Sequence, residues 1–248
     1  MVTTALNYFE VIQRVHRILG RPVPSTFADL TNEFQLNIKS LVNQVNKDVL
    51  MAFTYACRER TMSLSIGAEA VAKYTAITNT IPGEVAKDSE GRALIYDTTN
   101  GGYYTYSPDK AEFLLGESGA CEYTFRNNKI LFTANSTART LTVEYYTNKL
   151  ALDATTYENF VEGTTTQKDE LALETDYSIL PGFLHEPVLV YGTCFYYEAQ
   201  KNESAKTPAF KERFQEGIRQ LNAHNRDEGE EFQFMMGNLH HDIRRSAV

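Results

Sequence analysis

Leu180-Pro181-Gly182-Phe183-Leu184-His185-Glu186-Pro187-Val188-Leu189-Val190-Tyr191-Gly192-Thr193-Cys194-Phe195-Tyr196-Tyr197-Glu198-Ala199 is the stretch that decides how this chain folds. Leu184, Val188, Tyr191, Phe195 and Ala199 recur at helical spacing on one face, and Val190, Cys194 and Tyr197 fall on another. A helix apolar on two faces is ordinarily buried on both, so it needs a core on one side and a second cover on the other. A neighbouring subunit packed on Val190, Cys194 and Tyr197 would supply that cover. An ordinary helical pair in a globular core would do so too, and periodicity leaves both open. Pro187 fits the first turn of a helix, where its missing N–H costs nothing, or marks a slightly later start. After a polar connector, Thr207 and Pro208 form an N-cap and N1 pair. Phe210, Phe214, Ile218 and Leu221 give the next helix one apolar stripe, and Glu212, Arg213, Glu216 and Arg219 solvate the rest. Residues 180–226 are thus predicted to be an αα-hairpin.

Beyond this hairpin lies a tail, residues 227–248. Its charged start gives way to Phe232, Phe234, Met235, Met236 and Leu239, then to His240, His241, Asp242, Ile243, Arg244 and Arg245. Two Phe, two Met and a Leu beyond the last core helix argue for docking rather than exposure to water, on the chain's own core or on a partner, and the charged run before them favours the partner.

Upstream of the hairpin, residues 153–179 are Thr-rich and acidic with little periodicity, and read as an extended loop, either a mobile insertion or an interaction loop. Before it, residues 61–152 carry the period-2 texture of strands. Met62, Leu64 and Ile66 alternate with Ser and Thr, and Leu141, Val143 and Tyr145 alternate with Thr140, Thr142, Glu144 and Tyr146. Lys73–Ile81 reads as a strand stopped by Pro82-Gly83. Hairpins are predicted around Asn100-Gly101-Gly102 and Asn127-Asn128. Residues 1–60 are helical: a first helix with Phe9, Ile12, Val15 and Leu19 on its stripe, ended by Gly20, and a second of about seven turns capped by Ser25 or Thr26. The predicted class is α+β: a bundle of N- and C-terminal helices with an inserted antiparallel β module, a small sandwich or barrel.

At 248 residues the chain has ample length for a core, and a net charge of −8 argues against a general affinity for nucleic acid. No apolar run approaches the roughly 20 residues of a membrane span, and no signal peptide is evident, so the reading is a soluble, cytoplasmic protein without membrane partners. Cys57, Cys121 and Cys194 are too widely spaced for a CxxC pair. The chain has no GxGxxG, Walker A or HExxH run. Gly116-Glu117-Ser118-Gly119 lacks the spacing of a nucleophile elbow. His240 and His241 are adjacent, so they point apart and chelate poorly. No cofactor or metal is expected. His185, just before the central helix, reads as a hydrogen-bonded junction residue.

Two stretches in succession carry a resemblance. The first is Cys121-Glu122-Tyr123-Thr124-Phe125-Arg126-Asn127-Asn128-Lys129-Ile130-Leu131-Phe132, followed by Thr140-Leu141-Thr142-Val143-Glu144-Tyr145-Tyr146-Thr147-Asn148-Lys149-Leu150. The second is Leu180-Pro181-Gly182-Phe183-Leu184-His185, leading into the Tyr-rich helix and the Phe210/Phe214 helix. This order resembles the head-to-tail adaptor (connector) proteins of tailed bacteriophages. The resemblance spans roughly residues 25–225. It implies a non-catalytic virion protein, made in the host cytoplasm, that forms a ring of about twelve copies in the neck. Such a ring joins the portal protein to tail or nozzle proteins and continues the DNA channel without reading sequence. It implies portal docking by the tail, through Phe232, Phe234, Met235, Met236, Leu239, Ile243, Arg244 and Arg245. An acidic surface suits a conduit through which DNA slides. The alternative is a non-catalytic carbohydrate- or protein-binding β module on a helical stalk, with a concave site lined by Tyr103, Tyr104 and Tyr106.

Overall fold

A computed structural model describes residues 5–52, 55–68, 74–76, 83–87, 93–107, 122–126, 129–133, 137–153, 167–201 and 206–227. In chain order these form α1 (Tyr8–Ile18), α2 (Glu33–Ala52), β1 (Glu59–Ile66), β2 (Tyr74–Ala76), β3 (Gly83–Val85), β4 (Ile95–Asp97), β5 (Gly102–Tyr103), β6 (Thr105–Tyr106), β7 (Glu122–Arg126), β8 (Lys129–Thr133), β9 (Arg139–Thr147), β10 (Ala151–Leu152), β11 (Gln167–Lys168), β12 (Tyr177–Ser178), α3 (Tyr191–Gln200) and α4 (Thr207–Asp227). The fold is α+β. It divides into two compact units: a helical one, from the described residues before Arg58 and from Leu150 onward, and a β one from Arg58 to Lys149.

In the helical unit, α1 starts at a capping box. Asn7 Oδ1 accepts the Glu10 N–H at 2.9 Å, and Glu10 Oε2 accepts the Asn7 N–H at 2.9 Å. Val11, Ile12 and Val15 are buried from it. The second helix differs from its sequence reading. Ser25 and Thr26 cap only a 3-10 turn, Phe27–Asp29, in which Asp29 Oδ2 accepts from Ser25 Oγ and the Thr26 N–H, both at 2.9 Å. A second box then starts α2: Asn32 Oδ1 accepts the Gln35 N–H at 2.9 Å, and Gln35 Oε1 accepts the Asn32 N–H at 3.2 Å. Ile38, Leu41, Val42, Val45, Val49 and Leu50 then give α2 a buried stripe. Each such side chain contributes about 1.5–3 kcal/mol of burial.

The central stretch begins one turn earlier than Pro187 suggests. A 3-10 turn (Gly182–Leu184) runs into a π-helical turn (His185–Val190) and then α3. Proline has no N–H for the helical ladder and its ring crowds the carbonyl four residues back, and the wider π turn accommodates both demands. Two glycines permit close crossings. A Cβ on Gly192 would lie 2.8 Å from Val45 Cγ1 and 2.9 Å from Phe214 Cε2. One on Gly217 would lie 2.9 Å from Pro187 Cβ and 3.0 Å from the Pro187 carbonyl carbon. Phe210, Phe214, Ile218 and Leu221 of α4 are buried, as their stripe predicts.

The described part of the expected loop, 167–179, is ordered by pairing and by one carboxylate. A small sheet has the order β11-β10-β12. The fully buried Asp176 accepts the Ala172 and Leu173 N–H groups, each at 2.8 Å, and the Lys168 ammonium at 2.5 Å. α2 holds this region by two asparagines. Asn43 exchanges two hydrogen bonds with the Leu171 backbone, both 2.9 Å. Asn46 donates to Leu150 O at 3.1 Å and accepts from Ser178 Oγ at 2.6 Å. Residues 154–166 lie outside the described residues.

The β unit has two sheets. One has the order β1-β9-β4-β5, with β3 also on β9, and the other β2-β8-β7-β6, in which β6 and β7 run parallel. β9 shows the predicted alternation, with Leu141, Val143, Tyr145 and Thr147 buried. Leu64, Ile95, Leu141 and Val143 of the first sheet share a core with Tyr123 and Phe132 of the second. The Tyr123 hydroxyl accepts the Ala93 N–H at 2.6 Å. Both predicted hairpins form, with Tyr96 opposite Tyr103 and Arg126 opposite Lys129. Asn127, Asn128 and 77–82 are outside the described residues.

Candidate functional site

Val190, Cys194 and Tyr197 are buried within this chain's own helical core, at 0, 0 and 5 % exposure. The Tyr197 ring meets Phe34 of α2 edge-on at 5.2 Å. Burial pushes the Cys194 thiol up to about 12, with Glu198 adding to the effect. The other face is covered by α4, where Phe195 stacks on Phe214 at 6.2 Å and Tyr191 lies 6.5 Å from Phe210. The two-faced helix therefore finds both covers inside its own unit, which removes these three side chains from the surface a second copy could touch.

His185 is the polar centre of that unit. It is fully buried; its Nε2 lies 2.9 Å from Leu180 O, and its Nδ1 lies 3.0 Å from Leu6 N and 2.9 Å from Leu6 O. A carbonyl only accepts, so Nε2, whose partner is Leu180 O, carries the proton of the neutral ring, and Nδ1 is then the nitrogen that accepts the Leu6 N–H. Burial holds the imidazole below its ordinary 6.5, against the opposing pull of its backbone partners. The ring is thus a neutral clamp between the N-terminal segment and the junction before α3, the role its position suggests. Close by, Arg14 of α1 pairs with Glu186.

The three tyrosines of the β unit do not share one concave site. Tyr103 is 65 % exposed, but Tyr104 is buried against Phe132 at 5.4 Å, and Tyr106 packs on Tyr123. Alternation along an extended chain sends successive side chains to opposite faces. The exposed partner of Tyr103 is Tyr96, opposite it in register, with ring centroids 5.2 Å apart in an edge-on arrangement. The sequence held that signal: a four-residue turn after Asp97 puts Tyr96 across from Tyr103.

The turn beside this pair is fixed by Asp97, which accepts from the N–H groups of Thr99 (2.8 Å) and Asn100 (3.1 Å), from Asn100 Nδ2 (3.0 Å) and from Arg139 (3.0 Å). Burial alone would raise this carboxyl, but the hydrogen bonds from Asn100 and Thr99 and the Arg139 charge outweigh it and hold it below 3.8.

Phe232 to Arg245, with His240, His241 and Asp242, lie outside the described residues, as do Cys121 and Gly116–Gly119. Among the described residues no group of three or more His, Cys, Asp or Glu side chains is placed to hold a metal ion, and no helix is long and apolar enough to cross a membrane. No protein-family model matches the chain, and a search of curated proteins finds no relative.

Proposed function

We propose that the chain is a structural adaptor of a tailed bacteriophage, a ring-forming protein of the virion neck that joins the portal to the tail and continues the DNA channel. The observation that supports this reading is the order of the two units. Among the described residues, one helical unit is built from both ends of the chain, around a β unit inserted as the stretch Arg58–Lys149. This is the plan that the resemblance in Cys121–Leu150 and Leu180–His185 implies. The net charge of −8 suits a wall that DNA passes without adhering. In this reading the tail, through Phe232, Phe234, Met235, Met236, Leu239, Ile243, Arg244 and Arg245, docks on the portal, and catalysis is not part of the function.

The deciding measurement is the native mass of the full chain, alone and mixed with the portal protein of the same genome. A species of about twelve copies, or a portal complex carrying that many, supports the adaptor. A monomer in both samples sinks it. Deletion of the residues after Gly229 should leave a folded protein that no longer joins the portal, and loss of the fold itself would make the tail part of the core. The exposed Tyr96–Tyr103 pair favours a second reading, a ligand-binding β module, because paired tyrosines offer apolar faces with polar tips. On that reading Tyr103→Ala abolishes binding of a glycan or protein ligand by a monomeric chain.

A further inference from the structure

The sheet that carries β9 ends on one side in β1, and that edge is open. β9 turns the Thr140 and Glu144 carbonyls and the Glu144 N–H towards its β3 and β4 side, where Ala86, Leu94 and Thr98 meet them. Backbone groups alternate from side to side along a strand, so the odd-numbered residues of β9 bond β1. In the register of Met62 with Val143 and Leu64 with Leu141, these bonds use the even-numbered residues of β1. Thr61, Ser63 and Ser65 therefore direct their N–H and C=O groups outward, and among the described residues no strand or loop meets them. The Ser63 and Ser65 side chains are exposed, and Thr61 and Met62 are half-buried.

Proteins ordinarily blunt such an edge with charge, proline, a bulge or brevity. Thr61-Met62-Ser63-Leu64-Ser65-Ile66 has no charge and no proline, and the eight-residue β1 pairs with β9 in one unbroken register. At the other described sheet margins, β2, β5 and β6 are only two or three residues long. An open edge of this kind binds an added strand through its backbone.

The strand that fits follows from the parity of β1. Antiparallel neighbours set opposite residues on the same face of a sheet. A second β1, related by a two-fold axis at Ser63, sets Ser63 against Ser63 and Thr61 against Ser65. The three outward residues then pair among themselves, each exchanging both of its backbone hydrogen bonds, and no other register achieves this. On the core face the same axis sets Met62 against Leu64, which covers the exposed side of Met62, and Ile66 against Arg60, whose stem is aliphatic. On the solvent face only hydroxyls meet, and such pairs are favourable across strands.

We propose that β1 docks on β1 of a second copy of this chain, antiparallel about this axis, so that the two sheets run on as one. A closed ring of like-facing copies contains no such axis, so the pairing belongs to the free chain and does not rest on the adaptor reading.

The test is sedimentation of the full chain from roughly 1 to 300 µM, alone and with the portal protein of the same genome. A reversible dimer of the chain alone is expected. Ser63→Pro removes an N–H that β9 does not use, and proline is tolerated on an edge strand. The variant should keep its thermal unfolding while the dimer weakens roughly thirtyfold or more. Ser63→Lys and Ser63→Glu each set like charges against each other and should weaken the dimer roughly fivefold, and an equimolar mixture of the two should regain at least the original strength. The proposal is overturned by a chain that stays monomeric over the whole range, by a dimer or larger species that Ser63→Pro leaves intact, or by a mixture no tighter than its components. A monomer that joins the portal and loses it with Ser63→Pro would give the edge to a strand of that protein, and so overturns the pairing of copies.

Discussion

In the β unit, one stretch from Arg58 to Lys149 pairs its backbone strand by strand, and the side chains alternate between core and solvent. In the helical unit, segments far apart in sequence are joined by a few backbone bonds, such as the Tyr8 N–H to Asp176 O at 2.7 Å, and three buried or half-buried polar side chains add to them. His185 clamps Leu6, 179 residues away. Asn43 and Asn46 tie α2 to Leu171, Leu150 and Ser178. Asp176 acts locally, gathering the Ala172 and Leu173 amides and Lys168 into the segment whose backbone Tyr8 meets. A contiguous unit can rely on repetition, whereas a discontinuous one depends on single side chains, each of which leaves buried backbone groups unsatisfied when removed.

The comparison is broken most directly by core truncation. Leu41→Ala in α2 and Phe132→Ala in β8, both buried at 2 % exposure or less, should each cost about 3–4 kcal/mol. Hydrogen exchange should show faster opening of helical amides in the first variant and of strand amides in the second. Exchange rising equally in both units in either variant would show that they unfold as one.

Removing a clamp comes next. His185→Leu strands the Leu6 N–H and the Leu180 carbonyl and should cost about 2–3 kcal/mol. Asn46→Leu should cost about 2 kcal/mol. Denaturant titration followed by helical circular dichroism measures both, and a change below the error of such a titration would make the clamps dispensable. Gly217→Ala, which drives a methyl against the Pro187 backbone, should cost about 1–3 kcal/mol by the same assay.

Acid separates the units with a smaller effect. His185 and His16 both have folded values below 6.5. Their unfolded forms therefore take up protons first, so the stabilisation of the neutral rings is complete above 6.5 and is lost as pH falls below it. Asp97 has a folded value below 3.8, so its contribution is complete above 3.8 and is lost only as pH falls through that lower value. The helical unit should loosen in mild acid while the turn of the β unit holds. Amide exchange at Leu6 and at Asn100, followed across the titration, reads the two separately, and a simultaneous loss would contradict the assignment. The smallest effect is Tyr103→Ser, which should change stability by no more than about 0.5 kcal/mol, since the ring is mostly exposed.

These differences also explain what could be read in advance. The strands β1 and β9, the pairing of β7 with β8, the turn after Asp97 and the α4 stripe are carried by local alternation or helical spacing and form as expected, whereas Tyr103–Ser107 splits between the two sheets and its second half pairs parallel to β7. The start of α2 was not legible, because Thr26/Asp29 and Asn32/Gln35 are competing capping signals and spacing cannot rank them. The π turn was hidden because Pro187 reads equally as a first-turn residue. The second cover of α3 was open because periodicity shows that a face is buried, never by what. Asn43 and Asn46 interrupt an apolar stripe without announcing their distant partners.

One feature of the β unit reaches beyond its stability. Its first and last strands, β1 and β9, are antiparallel neighbours, with Glu59 opposite Tyr146 and Arg58 Nε donating to Thr147 O at 3.0 Å. The chain therefore comes in and goes out at one place, a strand spacing of about 5 Å apart. A segment whose two ends meet in this way is a cassette. A genome could gain it, lose it or exchange it for another between residues 57 and 150, with no rethreading of the helices on either side, and lineages could vary this part of the molecule while inheriting the rest intact.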